Sequence, residues 1–265
     1  MKGHTMNTAS RSPVALVTGG RQGIGRACAL ALARQGFHIV VADLHDDARL
    51  RETLGEIRET GARADFVRVD IAELSAHAAL VEQVWALHGH VDCLVDNAGV
   101  AARPLKDVLD ITPEDFDSNF DVNIRGTFFF TQAVARRMIQ DPEPASYRSI
   151  LVISSMAAHY ARIQRSQYCM SKAAVAMMAK VLALRLAPHG IHVHDIRPGF
   201  IRTAMTGSLD TGPQDARIAN GEVPLRRWGE ADDVGRLAAT LAAGLVPYVT
   251  GEPFVIDGGL RANSA

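Results

Sequence analysis

The sequence predicts a doubly wound α/β fold: a parallel sheet of about seven strands with helices on both faces. Three observations predict it. Short runs rich in Val and Ile alternate with longer amphipathic segments along the whole chain. The first run passes through a glycine-rich turn directly into a helical pattern. The chain has 265 residues and is 48% hydrophobic, enough to cover both faces of a large sheet.

The elements follow in order. Val14–Val17 is a strand, and Ile24–Gln35 after it has helical periodicity. His38–Ala42 and Ala64–Val69 are the next strands, each trailed by an amphipathic segment, Asp46–Glu59 and Glu73–Leu87. Val91–Val95 precedes the longest helical pattern, Pro113–Ile139. Asp141–Tyr147, with Pro142 and Pro144, reads as a surface connection to the strand Ser149–Ile153. A helix over Gln167–Ala187, a strand over Ile191–Ile196, a helix over Ala231–Ala243 and a strand over Phe254–Ile256 complete the alternation. No repeat or linker divides the chain, so a single domain is expected over residues 13–265. A polar leader occupies residues 1–12, with Met6 a second candidate start.

Composition removes several function classes. A net charge of −1 with no basic block leaves no electrostatic footprint for nucleic acid or lipid headgroups. Lys180 and Arg185 interrupt the most apolar stretch, so no transmembrane span is expected. The leader lacks the apolar core of a secretory signal. Cys28, Cys93 and Cys169 lie far apart, as in a reducing, cytoplasmic setting, with neither a disulfide framework nor a zinc site. His192 and His194 share a strand face, but no third ligand lies nearby in sequence and no metal is expected.

Ligands of such sheets sit beyond the carboxyl ends of the strands. After the first strand comes Thr18-Gly19-Gly20-Arg21-Gln22-Gly23-Ile24-Gly25, opening into a helix. Glycines let this turn approach a pyrophosphate, and the helix N-terminus offers it free N–H groups. Asp43 ends the second strand, eighteen positions after Gly25. A carboxylate there can accept from the adenosine ribose hydroxyls and would repel a 2′-phosphate; its other reading is a helix N-cap. NAD is therefore the expected cofactor. NADP is the alternative, because Arg21 in the loop could meet a phosphate. Asp70 and Ile71 close the third strand, where they could reach the adenine. Asn97-Ala98-Gly99 after the fourth strand puts small residues against the cofactor. Taken singly, these could be strand terminators.

Tyr168 and Lys172 stand four apart in a helical pattern, and so share one face. A fixed ammonium favours the phenolate and brings a phenol towards the working range of a general acid or base. Ser155, thirteen residues upstream and just after a strand, can hydrogen-bond a substrate carbonyl. Asn123, in mid-helix, could hold a water linking Lys172 to solvent. Alone, the Tyr–Lys pair would be a surface pair and Ser155 a cap.

Together these motifs resemble the short-chain dehydrogenase/reductase family over about residues 14–259, a Rossmann-type fold. The likeness rests on the loop from Thr18 to Gly25, Asn97 to Gly99, Asn123, Ser155, the Tyr168/Lys172 pair, and Pro198-Gly199 with Thr203. It implies that Tyr168 is the general acid/base and that Lys172 binds the nicotinamide ribose and tunes the tyrosine. Ser155 would orient the carbonyl, and Asn123 would hold a proton-relay water. Ile201 and Thr203 would contact the carboxamide. One departure is Asp96, where the family commonly has Asn; little effect is expected beyond altered hydrogen bonding. A homotetramer built through the Pro113 and Gln167 helices is also implied.

Within the family, the segments Gln167–Lys172, Ile196–Gly199 and Thr250-Gly251…Asp257-Gly258-Gly259 are similar to those of 3-oxoacyl-acyl-carrier-protein reductases. Asp43 argues against their usual NADPH, and no Lys/Arg cluster suits an acidic carrier. An NAD-linked dehydrogenase of a small secondary alcohol, sugar or hydroxy acid is therefore expected. The carrier-protein reductase is the alternative. A non-catalytic nucleotide-binding regulator is a third reading, against which the presence of Tyr168, Lys172 and Ser155 speaks. Residues 156–167 and 204–227 should shape the substrate site, the second as a glycine-punctuated lid. Tyr160, Arg162 and Arg165 are candidate lining residues, and an arginine there would suit a carboxylate, although surface exposure is the ordinary fate of either arginine.

Overall fold

The computed structural model describes residues 11–141, 147–207 and 211–263. Its strands are β1 (Val14–Thr18), β2 (His38–Asp43), β3 (Ala64–Arg68), β4 (Cys93–Asp96), β5 (Arg148–Ile153), β6 (Ile191–Pro198), β7 (Ile201–Arg202), β8 (Gly229–Glu230) and β9 (Pro253–Ile256). Seven of them form one parallel sheet in the order β3-β2-β1-β4-β5-β6-β9, and β7 pairs with β8 separately. Burial on both faces explains why the strands read as unbroken apolar runs: every residue of β1, β4 and β5 is buried. The chain runs outward from β1 to β3, then crosses back to β4 on the other side of β1. Ligand crevices form at the carboxyl ends where the winding reverses in this way.

The helices are α1 (Gly23–Arg34), α2 (Ala48–Glu59), α3 (His77–His88), α4 (Pro113–Phe120), α5 (Thr127–Ile139), α6 (Ser166–Leu186), α7 (Ala204–Gly207), α8 (Gly212–Ala219) and α9 (Ala231–Ala242). One apolar cluster joins the sheet to α3, α5 and α6, and a second joins its other face to α1, α2 and α9. The α1–α9 contact is backbone-close: a Cβ on Gly235 would lie 2.5 Å from the Ala27 carbonyl oxygen. A third, small cluster of Ile218, Val223, Trp228 and Leu260 stands apart from these two, with Phe200 and Met156 packed on it. It lies within and beside the expected lid.

Several expectations shift in detail. Pro113–Ile139 is not one α-helix, because a π-helical turn over Asp121–Gly126 separates α4 from α5. Gly126 passes so close to the chain after β3 that a Cβ would sit 2.2 Å from the Ile71 carbonyl oxygen. The Thr127 hydroxyl donates to the Val122 carbonyl five residues back, at 3.0 Å, in keeping with the wider turn. The start expected at Asp46 is capped by Asp47, whose side chain accepts from the Leu50 N–H. Of the expected leader only Arg11 and Ser12 are described, and these two are tied down. Arg11 pairs with Asp92 and Asp141, both at 2.9 Å, and the Ser12 carbonyl contacts His90. The connection expected over residues 141–147 lies mostly outside the described residues. Among those described, no helix is long and apolar enough to cross a membrane.

Candidate active site

The loop after β1 and the N-terminus of α1 border a cavity of about 310 Å3. Gly19 and Gly23 take left-handed φ of 64° and 58°, which favours glycine at both. Gly25 is required for a different reason: a Cβ there would lie 2.2 Å from the Gly19 carbonyl oxygen. The first turn of α1 has no acidic residue, and its N-cap Gln22 makes no capping bond. Its N–H groups and helix dipole are thus left for an anion, as a dinucleotide pyrophosphate requires. Gly19, Arg21, Gln22, Gly23, Ile24, Asp43, Asp70, Ile71, Asn97, Ala98, Gly99 and Thr203 all line this cavity. Ala42, Leu44, Val69, Val100 and Val122 add apolar walls that no sequence motif marks.

Thr18 and Gly25 are not on the cavity wall; they hold it in shape. The Thr18 hydroxyl accepts from the Asn97 and Ala98 N–H groups at 2.9 and 3.0 Å. The Asn97 amide in turn donates to the Thr18 and Gly19 carbonyls. The glycine loop and the end of β4 are therefore one locked unit.

Asp43 is not a helix cap. Its carboxylate accepts from the Arg21 and His45 N–H groups, each at 3.2 Å. The Arg21 side chain is held between two acids, with Nε 3.6 Å from Asp43 and Nη1 2.6 Å from Asp47. This arginine is neutralised within the chain.

A second cavity joins the first through Ile24, Asn97, Gly99, Val100 and Thr203, and brings in Ser155, Tyr168, Lys172, Pro198, Gly199 and Ile201. Lys172 Nζ is buried and donates to the Ile153 carbonyl at 2.9 Å. Burial pulls its pKa down to about 8, against the attraction of Asp96 and Asp195. The Tyr168 phenol is pushed up by burial, while hydrogen bonding from Ser155 and the charge of Arg165 pull it back. Lys172 was expected to lower the tyrosine. Instead its ammonium faces the Ile153 carbonyl and lies 5.9 Å from the Tyr168 ring centre, and desolvation prevails. Ser155 does cap a short turn, accepting from the Ala157 N–H at 3.0 Å. That bond uses a lone pair, so the hydroxyl proton still donates, towards Tyr168.

Asn123 lies in the π turn with its side chain fully engaged. Its Oδ1 accepts from Val100 N–H at 2.8 Å, and its Nδ2 faces the Val100 carbonyl, Asn119 Oδ1 and Ser171 Oγ at 2.9–3.2 Å. The side chain clamps the strand-end loop to α6. Asn119, one turn earlier, is the partner the sequence reading missed, although the four-residue spacing was visible.

Asp96 is more than a local variation. It is buried beneath the site and accepts from the Thr131 hydroxyl, with the Thr18 hydroxyl 3.5 Å away. Burial pushes its pKa up to about 6, opposed by Thr131 and Lys172. His192 and His194 do share a face, but His194 Nε2 is bonded to the Tyr147 hydroxyl at 3.0 Å.

A third cavity, of about 130 Å3, continues from Ser155 and Tyr168. Tyr160, Arg162 and Arg165 line it, so both arginines face a cavity and are only half-exposed. Phe200, Gln214 and Trp228 complete it. They come from distant segments, and no spacing connects them in the sequence.

Known proteins with similar sequences and structures match this chain along nearly their whole length. The model of the family described as enoyl-(acyl carrier protein) reductase matches residues 19–261. A 2-dehydro-3-deoxy-D-gluconate 5-dehydrogenase of Dickeya dadantii is 33% identical over 94% of this chain and 95% of its own. A cyclopentanol dehydrogenase of Comamonas sp. is 32% identical over 94% and 97%. The crystal structure of a 3-oxoacyl-[acyl-carrier protein] reductase from Brucella melitensis in complex with NAD is 44% identical. It superposes with a TM-score of 0.92 over 96% of this chain and 99% of that one.

Proposed function

The chain belongs to the short-chain dehydrogenase/reductase family and is an oxidoreductase acting on CH–OH groups; from that premise we propose that it interconverts a small secondary alcohol and its ketone with NAD. The observation that carries this reading is the continuity of the nucleotide cavity, through Ser155, Tyr168 and Lys172, with the substrate cavity. Bound in the first, the nicotinamide accepts or supplies the hydride.

Tyr168 moves the proton. In oxidation its phenolate oxygen takes the proton of the carbinol, and in reduction its hydroxyl returns it. Ser155, hydrogen-bonded to Tyr168 when the site is empty, turns its hydroxyl proton to the substrate oxygen and holds it beside the phenol. Lys172 holds the ribose and presents a positive charge below the site. Asn123 is a positioning residue that fixes Val100 and Ser171. Asp43 receives the adenosine ribose hydroxyls, and the Arg21–Asp43–Asp47 arrangement favours NAD over NADP by neutralising the loop arginine that could meet a 2′-phosphate. The 3-oxoacyl-carrier reductase reading is favoured by the 44% likeness above, and its usual NADPH is disfavoured by that same arrangement.

We further propose a single domain over residues 13–265 in a cytoplasmic homotetramer, in which Met177, Val181 and Leu184, exposed on α6, meet a second copy. Sedimentation tests the assembly. For the reaction, the assay is NADH oxidation against a panel of ketones. Tyr168→Phe should lower kcat by at least about a hundredfold, the low end for acid–base catalysis, with NADH affinity unchanged. Full activity in this variant refutes the role.

A further inference from the structure

Among the described residues, the cavity beyond Ser155 and Tyr168 carries charge of one sign. Arg162 and Arg165 line it, and none of its lining residues is acidic. Among the described residues neither guanidinium is paired with a carboxylate, whereas neighbouring Arg217 is bound to Glu222 at 2.6 Å. Guanidinium groups withdrawn from water ordinarily have partners. Here burial and the charges of Arg165 and Arg217 all disfavour the protonated form of Arg162. Arg162 rests near the Phe200 ring, 5.8 Å from its centre, a contact that can hold the group without neutralising it. In the same cavity Gln214 has its amide oxygen buried, with no hydrogen-bond partner among the described residues. The α6 helix begins beside Arg165 with neither a side-chain cap nor an acid in its first turn, which adds positive potential. Unneutralised cations and an unpartnered acceptor together lack one kind of ligand: an anion that also carries a hydroxyl donor.

Building on the oxidoreductase reading above, we propose that the substrate is a small hydroxy acid, or its keto acid, whose carboxylate is gripped by Arg162 and Arg165. A further hydroxyl of the substrate donates to Gln214, and the reacting carbinol lies between Ser155 and Tyr168. In oxidation the carbinol loses its hydroxyl proton to Tyr168. Its carbon-bound hydrogen leaves with the electron pair to NAD, giving the keto acid and NADH, and the carboxylate is unchanged. The cavity of about 130 Å3 is well below the roughly 300–1,000 Å3 of sites for drug-sized ligands, which limits the substrate to a few carbons. Arginine's planar fork suits a carboxylate better than a carbonyl or hydroxyl.

The test separates binding from turnover. The Tyr168→Phe variant, saturated with NAD, is titrated calorimetrically with hydroxy acids of four to six carbons and with their primary amides, which keep the shape and lose the charge. Acids should bind about ten- to a hundredfold more tightly than amides, the scale of charge-assisted hydrogen bonds. That preference should fall to near parity when Arg162→Gln and Arg165→Gln are added, with NADH fluorescence titration reporting that the fold is intact. Amides that bind as tightly as acids throughout the set, or a preference that survives both arginine substitutions, overturn the inference. Acid-selective binding without NAD reduction by the Tyr168-containing enzyme upholds the anion site and removes the reaction assigned above.

Discussion

Replacing Asp96 by Asn isolates the buried charge near Lys172. Asparagine preserves the shape, and the network can reverse around it. The Thr131 hydroxyl also lies 2.7 Å from the Thr127 carbonyl, so in the variant it can turn its proton there and its oxygen can accept from an amide at position 96. What changes is titration. Asp96 is raised from 3.8 to about 6, chiefly by burial. Below pH 3.8 it is neutral in both folded and unfolded chains and costs nothing. As pH rises through that value the unfolded chain releases its proton first, so the folded state is progressively disfavoured until Asp96 ionises near pH 6. Across this window the residue removes roughly 3 kcal/mol of stability. The variant escapes that loss, but its Lys172 ammonium keeps only Asp195 of its two nearby carboxylates, so the net gain at pH 7 should be about 1–3 kcal/mol. His194, lowered to about 4 by burial, gives the wild type an opposing slope, because its stability falls as pH drops from 6.5 towards 4. The difference between the two proteins cancels this slope. Urea unfolding followed by the fluorescence of Trp85 and Trp228 at pH 4, 5, 6 and 7 measures that difference. It should grow with pH and level off above 6. A difference that is constant over this range refutes the reasoning.

Three further outcomes are expected. Asp43→Asn removes one of the two acids that neutralise Arg21, so the ratio of NADPH to NADH affinity should rise at least about tenfold, from the loss of one carboxylate beside a phosphate; an unchanged ratio in fluorescence titrations counts against the assignment. Gly126→Ala places a Cβ 2.2 Å from the Ile71 carbonyl oxygen, and the forced shift should cost about 1–3 kcal/mol in thermal melts. Asn123→Ala strips the Val100 N–H of its acceptor, and should destabilise the protein by about 1–3 kcal/mol and lower kcat together; a fall in kcat alone would favour a direct chemical role.

The central strands were legible because they are buried on both faces, which turns a parallel strand into a plain apolar run. The phosphate loop was legible because no residue with a Cβ fits at Gly25, so its spacing is a steric record. Much of the remainder depends on environment. Nothing in Tyr168 and Lys172 as letters says that desolvation outweighs their mutual effect. The π turn was hidden because one extra residue in a 27-residue helical pattern barely disturbs its periodicity, while Gly126 and Thr127, which bear on it, have many other uses. Asp96 read as a minor variation because burial, not residue type, makes it titrate near pH 6. The wall of Phe200, Gln214 and Trp228 is assembled from separate segments, and only contact in space joins it.

The small cluster of Ile218, Val223, Trp228 and Leu260 gives the wall of the substrate cavity an energetic life of its own. Since it shares no buried member with the two clusters that flank the sheet, it can open or be rebuilt without disturbing them. Amide hydrogen exchange around α8 should therefore run through a lower-energy opening than exchange in β1 or β5. Relatives named for a sugar acid and for a cyclic alcohol each match more than nine-tenths of this chain. Selectivity for the substrate becomes a property of a replaceable part, free to vary while the hydride and proton machinery stays under strict steric constraint.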